Sequence, residues 1–354
     1  MSIKVAQIGL GYWGPNLARS LNALEGADLH TLCDPREDRL SHLKRQYPAV
    51  RTTGDFGSVL AEPEIDAIVL ATPVHTHFEL AKAALQAGKH VMVEKPLAQT
   101  SAQCKELIKI AEKHKLTLMV GHVFIYNAAV RKVKEYIQSG ELGEIYYIYS
   151  QRLNLGQVRQ DVNALWNFAP HDISILCYWL DAEPERVVAR GYSYIQSDVE
   201  DVVFMSLDFP NNVGANVHIS WLDPHKIRLM TVVGSNKMIV YDDVSADARI
   251  TVYDKGVTKK MKEAPDGKGI SLGRYETFGE FQLLLRAGDV LIPKVEFVEP
   301  LKVECQHFID CIRSGQQPMT DGYDGLRVVA TLEAAQQSLT HHGTSIAIES
   351  SNRQ

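Results

Sequence analysis

The chain has 354 residues, 45% of them apolar and 23% charged, with a formal net charge of −6. That balance fits a globular protein of about two domains and points away from a nucleic-acid surface. No apolar run reaches the roughly 18 residues of a membrane span, and no secretory-signal pattern precedes the first strand, so the expected location is the cytoplasm. The five cysteines, Cys33, Cys104, Cys177, Cys305 and Cys311, are scattered without a C-x-x-C pair and read as reduced thiols.

The chain opens on an apolar run, Ile3 to Ile8, that reads as a buried parallel strand and leads into Gly9-Leu10-Gly11-Tyr12-Trp13-Gly14. Glycines spaced G-x-G-x-x-G suit a turn that cradles a pyrophosphate. Gly9 permits the tight turn, Gly11 lets the phosphate approach the backbone, and Gly14 lets the next helix pack closely. Tyr12 and Trp13, inside the turn, belong to the same candidate cofactor set. Pro15 fits the first helical turn, where its missing N–H is not needed. A second strand, Asp28–Cys33, ends in Asp34, placed 20 residues after Gly14 to hold ribose hydroxyls. A carboxylate there repels a 2′-phosphate and favours NAD over NADP, while Arg36 and Arg39 nearby keep NADP open. The competing reading of Asp34 is a cap for the helix after Pro35.

Further strands are expected at Ala67–Ala71, His90–Val93 and Thr117–Val120, with amphipathic helices at Arg36–Gln46, His77–Ala87 and Ala102–Lys113. This alternation predicts a doubly wound parallel sheet, an α/β dinucleotide-binding domain over residues 1–123. From 124 to 354 the pattern changes to that of an α+β substrate-binding and oligomerisation domain. After a helix at Val130–Gln138, alternating runs follow at Ile145–Leu153, Asp201–Phe209, Val213–Trp221, Ile227–Val233 and Met238–Tyr241. Asn211-Asn212 and Gly234-Ser235-Asn236 are hairpin signals, so this sheet is mostly antiparallel. Phe204, Met230 and Val232, read as lying on its outer face with Ser206, Asn216 and His218, make that face too apolar to be fully wetted. A homodimer or homotetramer is expected to cover it. Gly256 to about Glu296 lacks periodicity and reads as an excursion with a short helix at Phe278–Arg286. Helices at Lys302–Arg313 and Asp324–Thr340 close the chain, the first returning to the N-terminal domain.

Glu94-Lys95-Pro96 follows a strand, and ligands of open α/β sheets bind beyond the strands' carboxyl ends. Lys95 should therefore reach the nicotinamide crevice and steady a developing alkoxide. The alternative is an exposed strand-end lysine. Trp166-Asn167-Phe168-Ala169-Pro170-His171-Asp172 precedes an expected helix at Ile173–Leu180, with His171 in its first turn. An imidazole there can take the proton of a sugar hydroxyl, or it can simply cap or pack. His75 and His77 form H-x-H, but no further His/Cys cluster has the spacing of a closed site, so no metal is expected.

The glycine turn, Ala71-Thr72-Pro73 with His77, Glu94-Lys95-Pro96, Asn167 with His171, and the closing Asp321-Gly322…Gly325 together resemble the Gfo/Idh/MocA dehydrogenases over nearly the whole chain. The resemblance implies Lys95 and His171 as the catalytic pair, with Thr72, Pro73, His77, Glu94 and Trp166 beside the cofactor. Many members carry Asp four residues before the histidine. Asn167 stands here and can bind a hydroxyl without taking its proton. Arg152-Leu153-Asn154-Leu155-Gly156 and Trp166 resemble the nucleotide-sugar subgroup. Arg152 and Arg159 are the candidate diphosphate ligands, with Tyr126, Asn127, Asn154 and Asn163 as sugar contacts. The expected reaction is NAD-dependent oxidation at carbon 3 of UDP-N-acetylglucosamine or a close relative, feeding an aminotransferase of lipopolysaccharide synthesis. Inositol oxidation, dTDP-keto-sugar reduction and a nucleotide-sensing regulator are the alternatives.

Overall fold

The computed structural model describes residues 2–156, 158–160, 162–257, 261–263, 270–272 and 285–351. Six strands form the first sheet: β1 (Ile3–Ile8), β2 (Ala27–Cys33), β3 (Arg51–Thr53), β4 (Ala67–Leu70), β5 (His90–Glu94) and β6 (Leu118–Gly121). All pair in parallel, in the order β3-β2-β1-β4-β5-β6. Such a sheet buries both faces, which explains the unbroken apolar run of β4. Helices α1 (Gly14–Asn22), α2 (Glu37–Gln46), α3 (Phe56–Ala61), α4 (Val74–Gln86) and α5 (Ser101–His114) connect the strands. Strand order reverses between β1 and β4, so the loops after β1, β4 and β5 open onto one crevice.

A short 3₁₀ turn (Val123–Tyr126) and α6 (Ala128–Gln138) lead to the second sheet. Its strands are β7 (Ile145–Leu153), β8 (Arg186–Tyr192), β9 (Val202–Phe209), β10 (Val213–Ser220), β11 (Ile227–Gly234), β12 (Met238–Asp242), β13 (Ile250–Val257), β16 (Leu285–Leu291) and β17 (Ile346–Ala347). The order is β16-β13-β12-β11-β7-β10-β9-β8-β17. Among the described residues of this sheet, only β7 and β10 pair in parallel. The residue pair Asn211-Asn212 does turn the β9–β10 hairpin, with φ of +61° and +59°. Asparagine tolerates that left-handed backbone better than most residues. Strands β14 (Met261–Glu263) and β15 (Ile270–Leu272) form a separate ribbon.

Helix α7 (Ala164–Leu180) covers the inner face of the second sheet. That face carries Val203, Met205, Val217 and Ile219, and also Met230 and Val232, which the registry places beside Ser150 and Ile148. Met230 and Val232 therefore belong to the core and not to the outer face. The outer face keeps Phe204, Ser206, Asn216 and His218 and adds Tyr147, Tyr149 and Tyr192. Helix α8 (Pro300–Ser314) lies along α1, and α9 (Gly322–Thr340) packs against α5, α7 and β8.

Three expectations change. The helix expected at Ile173–Leu180 begins nine residues earlier, at Ala164, and runs through Pro170. His171 is thus mid-helix rather than in a first turn. Helix Phe278–Arg286 lies outside the described residues, except Leu285 and Arg286, which open β16. Strands β3, β8, β13, β14, β15, β16 and β17 appear where no strand was expected. All five cysteines are buried and free. Among the described residues, no helix is long and apolar enough to cross a membrane.

Candidate active site

The glycine turn is shaped by contacts that leave no room for side chains. A Cβ on Gly9, whose φ is +90°, would lie 2.5 Å from the Ala71 carbonyl oxygen, and one on Gly14 would lie 2.5 Å from that of Gly9. Buried Gln7 fixes the turn by donating to the Gly14 carbonyl at 2.7 Å. At Gly11 the nearest group is the tip of the Arg39 guanidinium, 3.4 Å from the Cβ position. The Gly11 backbone is thus approachable from the side where a pyrophosphate would rest. Asp34 is buried and accepts from Leu10 N (2.7 Å), Arg36 N (3.0 Å) and Arg39 Nη1 (3.4 Å). An ionised carboxylate offers about four lone-pair sites, so acceptor capacity remains for a ribose hydroxyl. These residues fit a dinucleotide.

The loops after β4 and β5 are tied together by His77. Its ring sits between the carbonyls of Thr72 (2.9 Å) and Pro96 (2.8 Å) and is almost wholly buried. Burial lowers its pKa against the opposing pull of the two carbonyls, and the neutral ring donates to only one of them at a time. His77 therefore braces the crevice wall and does not line it. The Lys95–Pro96 bond is cis. Glu94 accepts from the Lys95 backbone N–H (3.3 Å) and from the Trp13 indole. Burial pushes the Glu94 carboxyl up to about 7, against the pull of the Lys95 charge. Burial likewise brings the Lys95 ammonium down to about 8, opposed by Glu94 and assisted by Arg152 and Arg159.

Lys95 Nζ donates to the backbone carbonyl of Asn167 at 2.8 Å. Asn167 lies one helical turn before His171 on α7, so both share a helix face. This bond bridges the two sheets and brings the two candidate catalytic residues to one crevice. Phe124 meets the His171 ring edge-on, centroids 4.9 Å apart. Burial lowers the His171 pKa well below its ordinary value, and the positive charge of Lys95 and Arg152 lowers it further. The imidazole is therefore neutral and ready to accept a proton. A cavity of about 360 Å³ opens beside Trp13 and Phe124 and reaches Asp243, Arg249 and Phe297.

The remaining sequence candidates divide. Thr72 and Pro73 stand at the start of α4 on the crevice. Tyr12 is fully open at the turn. Trp166 borders a second cavity with His75 and Gln99, its indole donating to Gln336 at 3.2 Å. Arg159 is exposed, and its charge reaches Lys95. Asn154 is half-buried, and its backbone N–H is tied to the Ser220 carbonyl at 3.0 Å. Four others have structural employment. Arg152 is buried, donating to Asp172 through Nε at 2.6 Å and Nη2 at 3.3 Å, so its guanidinium is not free for a diphosphate. Tyr126 is in the core, its hydroxyl against Thr320 at 3.0 Å. Asn127 caps α6 and bonds Asp243. Asn163 caps α7 while bonding Glu200 (2.7 Å) and Gln336 (2.9 Å). Sequence reading missed Phe124, Gln7 and Asp172. A glutamine inside an otherwise apolar strand was the available signal for Gln7.

A dinucleotide cradle facing a lysine and a neutral histidine across two domains defines a nicotinamide-dependent oxidoreductase. Residues 3–122 match the oxidoreductase family NAD-binding Rossmann fold of GFO/IDH/MocA proteins, and residues 130–240 match the GFO/IDH/MocA C-terminal domain. The chain belongs to the Gfo/Idh/MocA family of oxidoreductases and binds NAD. It is 25% identical to the myo-inositol 2-dehydrogenase of Thermotoga maritima, covering 95% of this chain and 96% of that one. It is also 25% identical to an uncharacterized oxidoreductase of Streptococcus pneumoniae, over 59% of this chain and 60% of that protein's length. The fold superposes on a UDP-N-acetylglucosamine 3-dehydrogenase from Acidithiobacillus ferrooxidans with a TM-score of 0.78. The identity is 21%, and 97% and 99% of the two chains are covered.

Proposed function

We propose that the protein oxidises a secondary ring hydroxyl of a nucleotide-linked sugar, carbon 3 of UDP-N-acetylglucosamine or a close relative, giving a 3-keto sugar for later amination. The observation that carries the chemistry is the bond from Lys95 Nζ to the Asn167 carbonyl, which sets an ammonium one helical turn from the His171 imidazole. When bound, NAD supplies the hydride acceptor. His171 takes the hydroxyl proton, and Lys95, with two N–H donors left, stabilises the oxygen as charge develops. Asn167 orients the hydroxyl. Asp34 holds the adenosine ribose, and Arg36 and Trp166 flank the cofactor. Arg159 is the candidate diphosphate ligand beside Arg152, which is paired with Asp172. The substrate-binding and oligomerisation unit comprises residues 124–354. A second copy covers its tyrosine-rich outer face, in the cytoplasm, with an aminotransferase acting next in envelope-sugar synthesis.

The commitment of Arg152 to Asp172 favours a second reading, oxidation of an uncharged cyclitol, which needs no diphosphate ligand. Following NADH absorbance with NAD and either UDP-N-acetylglucosamine or myo-inositol separates the two. An aminotransferase should be coupled in, because the oxidation is uphill. NADH formed with the nucleotide sugar and not with the cyclitol supports the first reading. The reverse result replaces it, and no NADH with either removes both.

A further inference from the structure

The closing Asp321-Gly322…Gly325 segment has no role in the chemistry above, yet it is docked tightly behind the site. Val120 N donates to the Thr320 carbonyl at 2.8 Å, and Thr320 Oγ1 donates back to the Val120 carbonyl at 2.8 Å. A Cβ on Gly322 would lie 2.6 Å from Ile108, and one on Gly325 would lie 2.7 Å from Val120. Two glycines thus let the start of α9 come down onto the end of β6. Asp321 caps that helix, accepting from Asp324 N at 3.0 Å. Asp324 occupies the first turn, where the helix dipole favours a negative charge.

What this approach delivers is a contact with His122, the residue after β6. Asp324 Oδ2 lies 2.6 Å from His122 Nδ1, and His122 is completely buried. A carboxylate can only accept, so Nδ1 carries the proton that faces Asp324, and in the neutral ring the lone pair is on Nε2. That Nε2 is buried and has no hydrogen-bond partner among the described residues. The same is true of one other imidazole nitrogen, Nδ1 of His171. The segment that follows His122 packs against α7: Phe124, two residues on, meets the His171 ring, and the charge of His122 reaches His171. Buried polar atoms left alone cost free energy, and here each of two imidazoles in this region leaves one nitrogen alone.

We propose that Asp324 and His122 are positioning residues for His171. His171 Nδ1–H is held by His122 Nε2 across one water, and His122 Nδ1–H is held by Asp324. That arrangement leaves the lone pair of His171 on Nε2, the nitrogen turned to the crevice. This inference rests on the dehydrogenase reading. As a substrate C–H gives its hydride to NAD, the hydroxyl O–H bond breaks and its proton passes to His171 Nε2. The resulting imidazolium keeps its Nδ1–H on His122. No proton has to leave His122 or Asp324.

The test has two arms. An atomic-resolution crystal structure of the unaltered protein should show His171 Nδ1 joined to His122 Nε2 by one bridging water. In parallel, His122→Leu, His122→Gln and Asp324→Asn are assayed for NADH formation. His122→Leu should lower kcat about 10–100-fold, the usual loss for an orienting partner, with KM near that of the unaltered protein. His122→Gln, whose amide oxygen can accept near the old Nε2, should recover part of the loss. Asp324→Asn should cost at least as much as His122→Leu, because an amide can donate to Nδ1 and reverse the His122 tautomer. Equal losses in His122→Leu and His122→Gln, or no link in the crystal, overturn the inference. A link in the crystal without turnover of any polyol or nucleotide sugar leaves the inference standing and removes the dehydrogenase reading.

Discussion

The Arg152–Asp172 pair permits a quantitative test of how the site is held. Asp172 is 1% exposed and Arg152 6%. Asp172 accepts from Ser150 Oγ at 2.6 Å as well as from Arg152, and the guanidinium lies 4.8 Å from the Phe124 ring centre. Asp172→Asn keeps the shape and removes the charge, leaving the guanidinium buried beside a neutral amide. Breaking a buried pair from one side costs about 3–5 kcal/mol, a fall in melting temperature of roughly 5–10 °C for a chain of this size. Replacing both partners with apolar groups, Arg152→Met with Asp172→Leu, leaves no orphaned charge. Only the Ser150 hydroxyl loses its acceptor, at about 1 kcal/mol. The double variant should therefore be more stable than the single one. Calorimetric melts of the parent, Asp172→Asn, the singles Arg152→Met and Asp172→Leu, and the double at one pH and salt concentration measure the coupling. An Asp172→Asn protein within about 1 kcal/mol of the original, or a double variant as unstable as the sum of its singles, would refute the reasoning.

Lys95 must carry its proton to stabilise an oxyanion, and that proton is present below its lowered pKa of about 8 and lost as pH rises through it. Turnover should accordingly decline above about pH 8 and stay flat on the acid side through neutrality, since His171 is already deprotonated there. Lys95→Met should reduce kcat about 10²–10³-fold, and a basic limb near the ordinary lysine value would contradict the assignment. Glu304 is wholly buried on α8, and both its oxygens lack partners among the described residues. Burial, and secondarily the Glu94 charge, raise its pKa well above the usual carboxylate range. Ionisation is thus disfavoured in the fold, and stability falls as pH rises past the unfolded carboxyl value. Glu304→Gln should melt higher than the parent at pH 8 with the gain vanishing near pH 4, and a lower melt at pH 8 would count against this account.

The first sheet was legible because its signals are local. A glycine turn has one backbone solution, and apolar runs of four to six residues between amphipathic stretches have few others, as β1, β4 and β5 illustrate. The second sheet was legible only where alternation was strict, as in β9 and β10. Met230 and Val232 were put on the wrong face because β11 is buried on both sides near its end, where period-two reasoning loses its reference. Strand β8 was missed because Arg186, Arg190 and Gly191 mask its pattern. In the site, the lysine and histidine could be read from motif and position. The buried employment of Arg152, Tyr126, Asn127 and Asn163 could not, since each depends on a partner more than 15 residues away in the sequence.

The same long-range partners explain why the site is built from charges whose burial is costly. An ammonium close to an imidazole would be protonation-neutral in water, where both charges are screened. In the crevice, Lys95, Arg152 and Arg228 all act to keep His171 unprotonated, and two of these cations are themselves fixed by acids, Arg152 by Asp172 and Arg228 by Asp243 at 3.1 Å. Cations held by their own acids cannot swing in to neutralise a developing alkoxide. Lys95 differs, because its tether is a neutral carbonyl and its nearest acid, Glu94, is pushed toward its protonated form by burial. More of the lysine charge is therefore left for the substrate oxygen, next to a base that the surrounding field keeps empty. A cation free to stabilise an oxyanion and a base free to accept a proton are the two conditions that hydride removal from a carbinol imposes. Both follow from which charges the fold has paired and which it has not.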